Sequence, residues 1–201
     1  SAHPRFEVNL VSGRERHAFE GWLGRMPVTL HAEHGLWSRD SDSEEWVRNV
    51  QVSDHWKPRV RGVLEDFVKS TPGSFVEDKS AGFAWHYREV EPDFGSSQAK
   101  ELRLLLFELL SNVPVQVIAG EKVVEVRAQG VHKGLVVPRA MRGRGALAVA
   151  MGDDRTDEDL FAALPEGSVA IHVGPNPSRA PLRLTDTRAA RCFLRALAET
   201  R

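Results

Sequence analysis

The sequence predicts an α/β fold with a smaller α+β lobe inserted into it. Two observations favour this class. Toward both ends of the 201-residue chain, short apolar strands alternate with helical patterns, the order that forms a parallel sheet covered by helices. In the middle, the order changes to helix, strand, strand, and this pattern occurs twice. The expected boundaries are 1–54 for the first part of the core, 55–128 for the inserted lobe and 129–201 for the second part of the core.

The first core segment is predicted to alternate strand, helix and strand. Phe19, Trp22 and Leu23 recur at helical spacing, and Gly13 ends the strand that precedes them. A polar segment that contains Asp40 and Asp42 is expected to be a solvated loop or the tip of a hairpin. The predicted strand, helix, strand and loop are 6–11, 14–23, 28–32 and 38–45.

The inserted lobe and the second core segment are delimited by the same signals. Thr71-Pro72-Gly73 ends the first helix of the lobe, and Ser96-Ser97 is expected to cap the second. The lobe is predicted to contain a helix at 56–69, strands at 74–77 and 82–88, a helix at 97–110, and strands at 115–118 and 122–127. The second core segment is predicted to contain a strand at 145–151, a helix at 157–164, a strand at 169–173 and a helix at 186–199.

The composition is that of an ordinary globular protein. Hydrophobic residues make up 41% and charged residues 27%, and the formal net charge of -1 gives no reason to expect a nucleic acid or an acidic membrane as partner. No apolar run approaches the length of a membrane span, and the cytoplasm is the expected location. Cys192 is the single cysteine, and its apolar helical surroundings predict a buried thiol.

Three acidic residues follow the apolar strand predicted at 145–151. Asp153 and Asp154 come directly after this strand, and Asp157 follows within one helical turn. Carboxylates this close repel one another unless a cation neutralises them, and oxygen ligands suit a hard divalent cation such as Mg²⁺. Capping of the following helix is the alternative, but it does not explain the position of Asp153. We therefore expect a metal site here.

Two further segments offer groups that bind an anion. Ser12 ends a strand and is followed by Gly13 and Arg14, so a hydroxyl, backbone N–H groups and a guanidinium are available, although such turns are common. Lys133 lies in a glycine-flanked turn, where spacing alone favours a solvated lysine over a phosphate ligand. Ligands in open α/β sheets bind outside the carboxyl ends of strands, and Ser12, Glu33 and Asp153 all occupy such ends.

The inserted lobe carries a group of polar residues beside Trp85. Strand alternation places Glu77 and Lys79 on one face if the strand extends that far, and His86 follows in the next strand. Such a group suits a sugar, whose hydroxyls take hydrogen bonds while its ring packs on an aromatic face. A cross-strand salt bridge in a hairpin is an equally good explanation.

Together these segments resemble the trehalose-6-phosphate phosphatases of the haloacid-dehalogenase superfamily. The resemblance covers about residues 8 to 187, in the order and spacing of the family. It implies a Rossmann-like core with an α/β cap. The matching segments are LVSGR (10–14), AEHG (32–35), VEDKSAGFAWHYR (76–88), KVVEVRAQGVHKG (122–134) and GDDRTDEDLF (152–161).

The resemblance also implies residue roles. Ser12 corresponds to the hydroxyl that binds the phosphoryl group, Lys133 to the lysine that steadies nucleophile and phosphate, and Asp153 to a magnesium ligand supported by Asp157. Trehalose 6-phosphate is the implied substrate, cleaved through an aspartyl-phosphate with cap closure over it. The residues expected to bind the sugar or line the cleft between core and cap are Arg14, Glu33, His34, Glu77, Lys79, His86 and Glu125.

The family's first motif, an apolar strand ending in Asp-x-Asp-Gly-Thr, does not occur in the sequence. The Asp40-Ser41-Asp42 segment has neither the preceding strand nor the following Gly-Thr. The nucleophile and the general acid are therefore expected outside these 201 residues, and the chain alone is expected to be inactive. The alternatives are a non-catalytic sugar-phosphate-binding or regulatory domain attached to a trehalose-phosphate synthase, and a phosphatase of another sugar phosphate.

Overall fold

The computed structural model describes residues 6–23, 26–142 and 147–199, which group into two units. One unit extends to Asn49 and resumes at His132, and the other comprises Val50–Val131. The strands are β1 (Asn9–Val11), β2 (Thr29–Ala32), β3 (Trp37–Arg39), β4 (Val47–Arg48), β5 (Phe75–Lys79), β6 (Gly82–His86), β7 (Val115–Gly120), β8 (Val123–Ala128), β9 (Val149–Gly152), β10 (Val169–Val173) and β11 (Leu182–Leu184). The helices are α1 (Arg16–Leu23), α2 (Lys57–Ser70), α3 (Pro92–Leu109), α4 (Val137–Ala140), α5 (Asp157–Ala163) and α6 (Thr187–Glu199).

The strands of the first unit form two sheets. In one, β1 pairs in parallel with β2, and β2, β3 and β4 continue it as antiparallel neighbours. In the other, β9, β10 and β11 are all parallel, with β10 in the centre. Val11 of β1 packs against the apolar cluster that contains Ala150 of β9 and Val136, so the two sheets share a core.

Within the described residues, β1 pairs only with β2, and β9 pairs only with β10. Each of these strands therefore presents one edge without a strand partner. Val149 of β9 is exposed although its sequence context is apolar. An unpaired edge leaves backbone N–H and C=O groups that another strand could pair with.

The second unit is a four-stranded antiparallel sheet covered by two helices. Its strand order is β5-β6-β8-β7. Alternation gives the sheet one apolar face, which packs with residues of α2 and α3 to form the core of this unit. The large fully buried side chains of that core are Val60, Leu64, Phe83, Trp85, Leu102, Leu106, Val124 and Val126. The opposite face of the sheet carries the polar residues, as described below.

Most of the predicted elements are confirmed, and the differences have local causes. Helix α3 begins at Pro92, five residues before the predicted start, because Glu91 caps it by accepting from the N–H groups of Asp93 and Phe94. Strand β5 extends to Lys79, where a turn had been expected. Strand β11 and helix α4 were not predicted because each is very short. Positions 145 and 146 of a predicted strand lie outside the described residues.

The predicted burial of Cys192 is wrong. The half-buried positions of α6 are Ala189, Ala190, Phe193 and Leu197, and Cys192 lies outside that stripe and is exposed. The predicted polar segment is the tip of the β3–β4 hairpin, one of the two forms expected. The expectation that no strand precedes Asp40 is wrong, because β3 ends at Arg39. The side chain of Asp40 is also paired. Both of its carboxylate oxygens accept from Arg139, at 3.0 and 2.6 Å.

No helix in the described part of the chain has the length and apolar character to cross a bilayer.

Candidate functional site

The segment after β1 forms a turn that presents the hydroxyl of Ser12. The Oγ atom of Ser12 accepts a hydrogen bond from the N–H of Arg14 at 3.2 Å, and the N–H of Ser12 donates to the carbonyl of His31 at 3.0 Å. The Arg14 guanidinium is exposed and lies 4.8 Å from the centre of the Trp22 ring. The turn thus holds a hydroxyl at the carboxyl end of a parallel strand, where anions bind in α/β sheets.

A left-handed turn packs against this segment. Glu33, His34 and Gly35 have φ values of 49°, 57° and 89°, and all three are buried. The N–H of His34 donates to the carbonyl of Ser12, and the N–H of Glu33 donates to the carbonyl of Arg14, both at 2.9 Å. Positive φ at two residues that are not glycine costs about 1–3 kcal/mol each, so the surrounding contacts must hold the turn in place.

The close approach of this turn requires a glycine in the Ser12 segment. A Cβ at position 13 would overlap the imidazole ring of His34. Gly35 in turn lies against Val136 and the carbonyl of His132, the residue before Lys133. The turn therefore touches two of the segments in which sequence analysis placed phosphate-binding groups.

Lys133 is buried and is paired with Asp157. The lysine is 7% exposed and donates to Oδ1 of Asp157 at 2.7 Å, while Oδ2 accepts from the N–H groups of Asp153 at 3.0 Å and Asp154 at 2.9 Å. The alternative of a solvated lysine is wrong. Gly152 permits this arrangement because a Cβ there would overlap the Asp157 carboxyl group. Both oxygens of Asp157 are thus used to hold Lys133 and the loop after β9.

Asp153 and Asp154 differ in how their carboxylates are used. Asp154 accepts from the N–H of Arg155 at 2.6 Å and from the hydroxyl of Thr156 at 3.3 Å, so it stabilises the start of α5. The Asp153 side chain is exposed and makes no hydrogen bond or ion pair with other described residues. Asp153 is therefore the carboxylate in this loop that is available to a ligand.

A preformed cage of protein ligands is absent from the described ranges. In them, no three His, Cys, Asp or Glu side chains converge in a way that could hold a metal ion. Mg²⁺ does not need such a cage, because it usually binds through one or two carboxylates plus waters and phosphate oxygens. The free carboxylate of Asp153 fits that donor set, whereas Asp157 is already occupied.

The second unit brings its predicted sugar-binding residues onto one face of its sheet. Glu77 pairs across the sheet with Ala84, and Ala84 with Glu125, so the two carboxylates share a face. His86 and Glu77 are 2.8 Å apart, and Nζ of Lys79 lies 3.5 Å from Glu125. The hydrogen bond with His86 holds the pKa of Glu77 below its usual range, burial opposes this, and Lys79 adds to the lowering.

The aromatic partner predicted for the sugar is wrong. Trp85 is fully buried on the opposite, helix-covered face, because neighbouring residues of a strand point to opposite sides. The aromatic ring on the polar face is Phe75, which stacks on His86 with centroids 4.7 Å apart and remains 54% exposed. The sequence could have indicated this ring, because Phe75 lies two residues before Glu77 in β5 and strand alternation places both on one face.

Sequence reasoning also missed a buried polar chain in the first unit. His31 is fully buried, with Nε2 2.9 Å from Oδ1 of Asn9 and Nδ1 2.6 Å from Oγ of Ser38. Nδ2 of Asn49 donates to the same hydroxyl at 2.6 Å and to the carbonyl of Gly35 at 2.7 Å. Burial, with a contribution from Arg139, lowers the pKa of His31 to about 4.

We expect His31 to make folding stability depend on pH. An unfolded histidine binds a proton near pH 6.5, whereas His31 in the folded chain stays neutral until about pH 4. Between these values the unfolded state binds more protons, so this stability is present above the unfolded pKa and is lost as pH falls toward the folded pKa. Acidification from about pH 7.5 to about pH 5 should cost on the order of 2 kcal/mol through this group.

Urea unfolding at the two pH values measures this effect. His31→Gln should remove this part of the pH dependence, and His17→Gln, at an exposed position, should leave it unchanged. An equal pH dependence in the wild type and in His31→Gln would contradict the assignment.

The chain is similar to known proteins in sequence and in fold. The family model described as Trehalose-phosphatase matches residues 1–188. A bifunctional trehalose-6-phosphate synthase/phosphatase from Thermoproteus tenax is 38% identical over 198 residues, which are 98% of this chain and 27% of that protein. Among solved structures, the C-terminal domain of C. albicans trehalose-6-phosphate phosphatase is 30% identical with a TM-score of 0.86, covering 96% of this chain and 78% of that one.

A more distant structure supports the fold alone. A haloacid dehalogenase-like hydrolase from Bacteroides thetaiotaomicron is 12% identical with a TM-score of 0.68, and the match covers 96% of this chain and 85% of that one. The predicted haloacid-dehalogenase fold class is therefore confirmed. The chain spans about a quarter of the length of the curated relatives that it matches.

Proposed function

The chain belongs to the trehalose-phosphatase family, and we propose that it carries the phosphate, metal and sugar sites of a hydrolase that cleaves trehalose 6-phosphate to trehalose and phosphate. One observation carries this proposal. Lys133, Asp157 and Asp153 are linked through the loop after β9, and the turn at Glu33–Gly35 connects the Ser12 segment to the Lys133 segment in the same unit. A hydroxyl and an ammonium group can hold a phosphate, and a free carboxylate can hold a metal ion, and all three assist phosphoryl transfer.

Each residue of the first unit has a defined part in this proposal. The Ser12 hydroxyl, whose oxygen accepts from the N–H of Arg14, donates its proton to a phosphoryl oxygen. Lys133 neutralises charge that develops on the phosphate, and Asp157 holds this lysine in place by accepting a 2.7 Å hydrogen bond from it. Because the lysine is positioned before substrate arrives, little reorganisation is needed during the reaction.

Asp153 is the residue that would hold Mg²⁺. Its side chain is exposed and has no partner among the described residues, which supports this role. When bound, the metal would neutralise charge on the transferring phosphoryl group. Asp157 would support the site indirectly, because its carboxylate organises the N–H groups of Asp153 and Asp154.

We infer that the attacking carboxylate comes from a segment outside these 201 residues. No Asp-x-Asp-Gly-Thr segment occurs in the sequence, and β1 and β9 each have an unpaired edge within the described part of the chain. A parallel strand beside β1 or β9 would bring its carboxyl end to the same side as Ser12 and Asp153. A synthase domain in the same protein is also proposed, as in the bifunctional relative.

The sugar is proposed to bind the polar face of the second unit. Glu77 and Glu125 can accept from sugar hydroxyls, Lys79 can donate, and His86 orients Glu77. Lys79 and Glu125 have side chains that are each only 12% exposed, so hydrogen bonds with a ligand would form in a partly desolvated place. Such groups would select a disaccharide phosphate over a simple phosphate ester.

The proposed function is tested by phosphate release from trehalose 6-phosphate. In the intact protein, Lys79→Ala should raise KM by about 10-fold or more, because a hydrogen bond from a charged group contributes about 1.5–3 kcal/mol. The kcat for a small phosphate ester should not change. Lys69→Ala, at an exposed position of α2, is the matched control and should leave both values unchanged.

Two results would contradict the proposal. One is an unchanged preference for trehalose 6-phosphate in Lys79→Ala, which would remove Lys79 from the sugar site. The other is magnesium-dependent turnover by the 201-residue chain alone, which is the negative control and should release no phosphate. Turnover there would mean that the nucleophile lies within this sequence.

A further inference from the structure

Four polar side chains that the proposed reaction does not use form one continuous chain in the first unit. Asn9, His31, Ser38 and Asn49 are linked at 2.9, 2.6 and 2.6 Å, and Asn49 ends the chain on the carbonyl of Gly35 at 2.7 Å. His31 and Ser38 are both completely buried. Buried polar groups are costly unless they are satisfied, so a chain of this kind needs an explanation.

The donor and acceptor atoms of these four side chains determine the direction of every hydrogen bond between them. Oδ1 of Asn9 can only accept, so His31 donates through Nε2. The imidazole is neutral, and Nδ1 must then accept the hydroxyl proton of Ser38. The oxygen of Ser38 remains free to accept one N–H of Asn49, and the second N–H of Asn49 donates to Gly35.

Gly35 is the last residue of the left-handed turn. Two positive φ values at Glu33 and His34 are unfavourable, and the turn persists only if its surroundings hold it. The amide of Asn49 is a donor on the Gly35 carbonyl, and the N–H of Asn49 donates to the carbonyl of Leu36 at 2.8 Å. Asn49 therefore holds the exit of the turn with both its side chain and its backbone.

The turn connects two parts of the proposed phosphate site. On one side, the backbone N–H of His34 donates to the carbonyl of Ser12 at 2.9 Å. On the other, Gly35 contacts Val136 and the carbonyl of His132, next to Lys133. A shift of the turn would thus move Ser12 and Lys133 relative to each other.

We propose that Asn49 is a positioning residue that, oriented by the Asn9–His31–Ser38 chain, holds the left-handed turn so that Ser12 and Lys133 are placed for phosphate. This inference rests on the proposed function, because it assigns the turn to the phosphate site. It gives the polar chain a role beyond the satisfaction of buried groups. The distinction matters for the test, since a merely structural group would affect stability but not phosphate affinity.

The test is titration calorimetry with inorganic phosphate, in the presence of Mg²⁺, on the intact protein. Asn49→Ala should raise the dissociation constant for phosphate by about 10-fold, which corresponds to the loss of about one hydrogen bond's contribution to the site. Asn49→Asp, of the same size but without the two amide donors, should show the same loss. Asn176→Ala, at an exposed position of the same unit, and Ile171→Val, which weakens the core, should both bind as the wild type does.

Wild-type affinity in Asn49→Ala would overturn the proposal, and so would an equal loss of affinity in Ile171→Val. If Asn49→Ala does not fold, nitrogen NMR of the wild-type imidazole decides. A neutral His31 with its proton on Nε2 supports the proposed hydrogen-bonded series, and a proton on Nδ1 overturns the proposal. Absence of saturable phosphate binding in the wild type would instead defeat the proposed function. The link between Asn49 and the left-handed turn would then be tested by the amide resonance of His34, which should shift in Asn49→Asp.

Discussion

Lys133→Met is expected to lower the free energy of unfolding by about 3–5 kcal/mol, the cost of leaving one member of a buried ion pair without its partner. Both side chains are buried, and the Lys133–Asp157 distance is 2.7 Å. Asp157 also accepts two backbone N–H groups, which keep its carboxylate in place after the substitution. An unpaired charge in this position cannot move into water without breaking those hydrogen bonds.

Chemical unfolding of the variant and of a matched control measures this effect. Lys69→Met removes the same kind of lysine–aspartate contact at the surface, where both side chains are about three-quarters exposed, and should change stability by less than about 1 kcal/mol. Adding Asp157→Asn to Lys133→Met should recover part of the loss, because the amide oxygen still accepts the backbone N–H groups. Equal effects of the buried and exposed substitutions would show that Lys133 is not buried in solution.

Asp153→Asn is expected to lower kcat by about 100-fold or more in the intact protein. A metal ion contributes several kcal/mol of charge stabilisation to phosphoryl transfer, and each 1.36 kcal/mol corresponds to about a factor of ten. Asparagine keeps the size of the side chain but removes the negative charge. Because Asp153 is exposed, the free energy of unfolding should change by less than about 0.5 kcal/mol.

Asp154→Asn is the control at the neighbouring position. One carboxylate oxygen accepts from the N–H of Arg155 and the other from the hydroxyl of Thr156. In asparagine the amide oxygen can keep the first contact, and the amide N–H can donate to the hydroxyl of Thr156. We expect a small decrease in kcat and no change in the magnesium concentration needed for half-maximal activity. That concentration should rise in Asp153→Asn. An equal loss of activity in both variants would mean that the loop as a whole, and not Asp153 alone, carries the role.

Local patterns were sufficient to predict most strands and helices. Strand β10 was predicted at its observed limits because a short apolar run between turn signals is typical of a buried strand. Helix α3 was predicted too short, because Glu91 was not recognised as a cap and the serines at 96 and 97 resembled one. The predicted shared face of Glu77 and Lys79 follows from the period of a strand and is confirmed by the register of β5 with β6.

The candidate site residues were predicted from the sequence alone, since the matching segments contain Ser12, Lys133 and Asp153 within short motifs. Their physical states depend on partners far away along the chain, and only the tertiary structure decided these. Lys133 is buried because Asp157, 24 residues later, compensates its charge. Trp85 lies on the helix-covered face, and not on the polar face of the sheet, because its pairing with Val124 across the sheet determines its side. In the hydrogen-bonded series from Asn9 to Asn49, directly bonded partners are up to 22 positions apart, a spacing for which the sequence has no periodic signal.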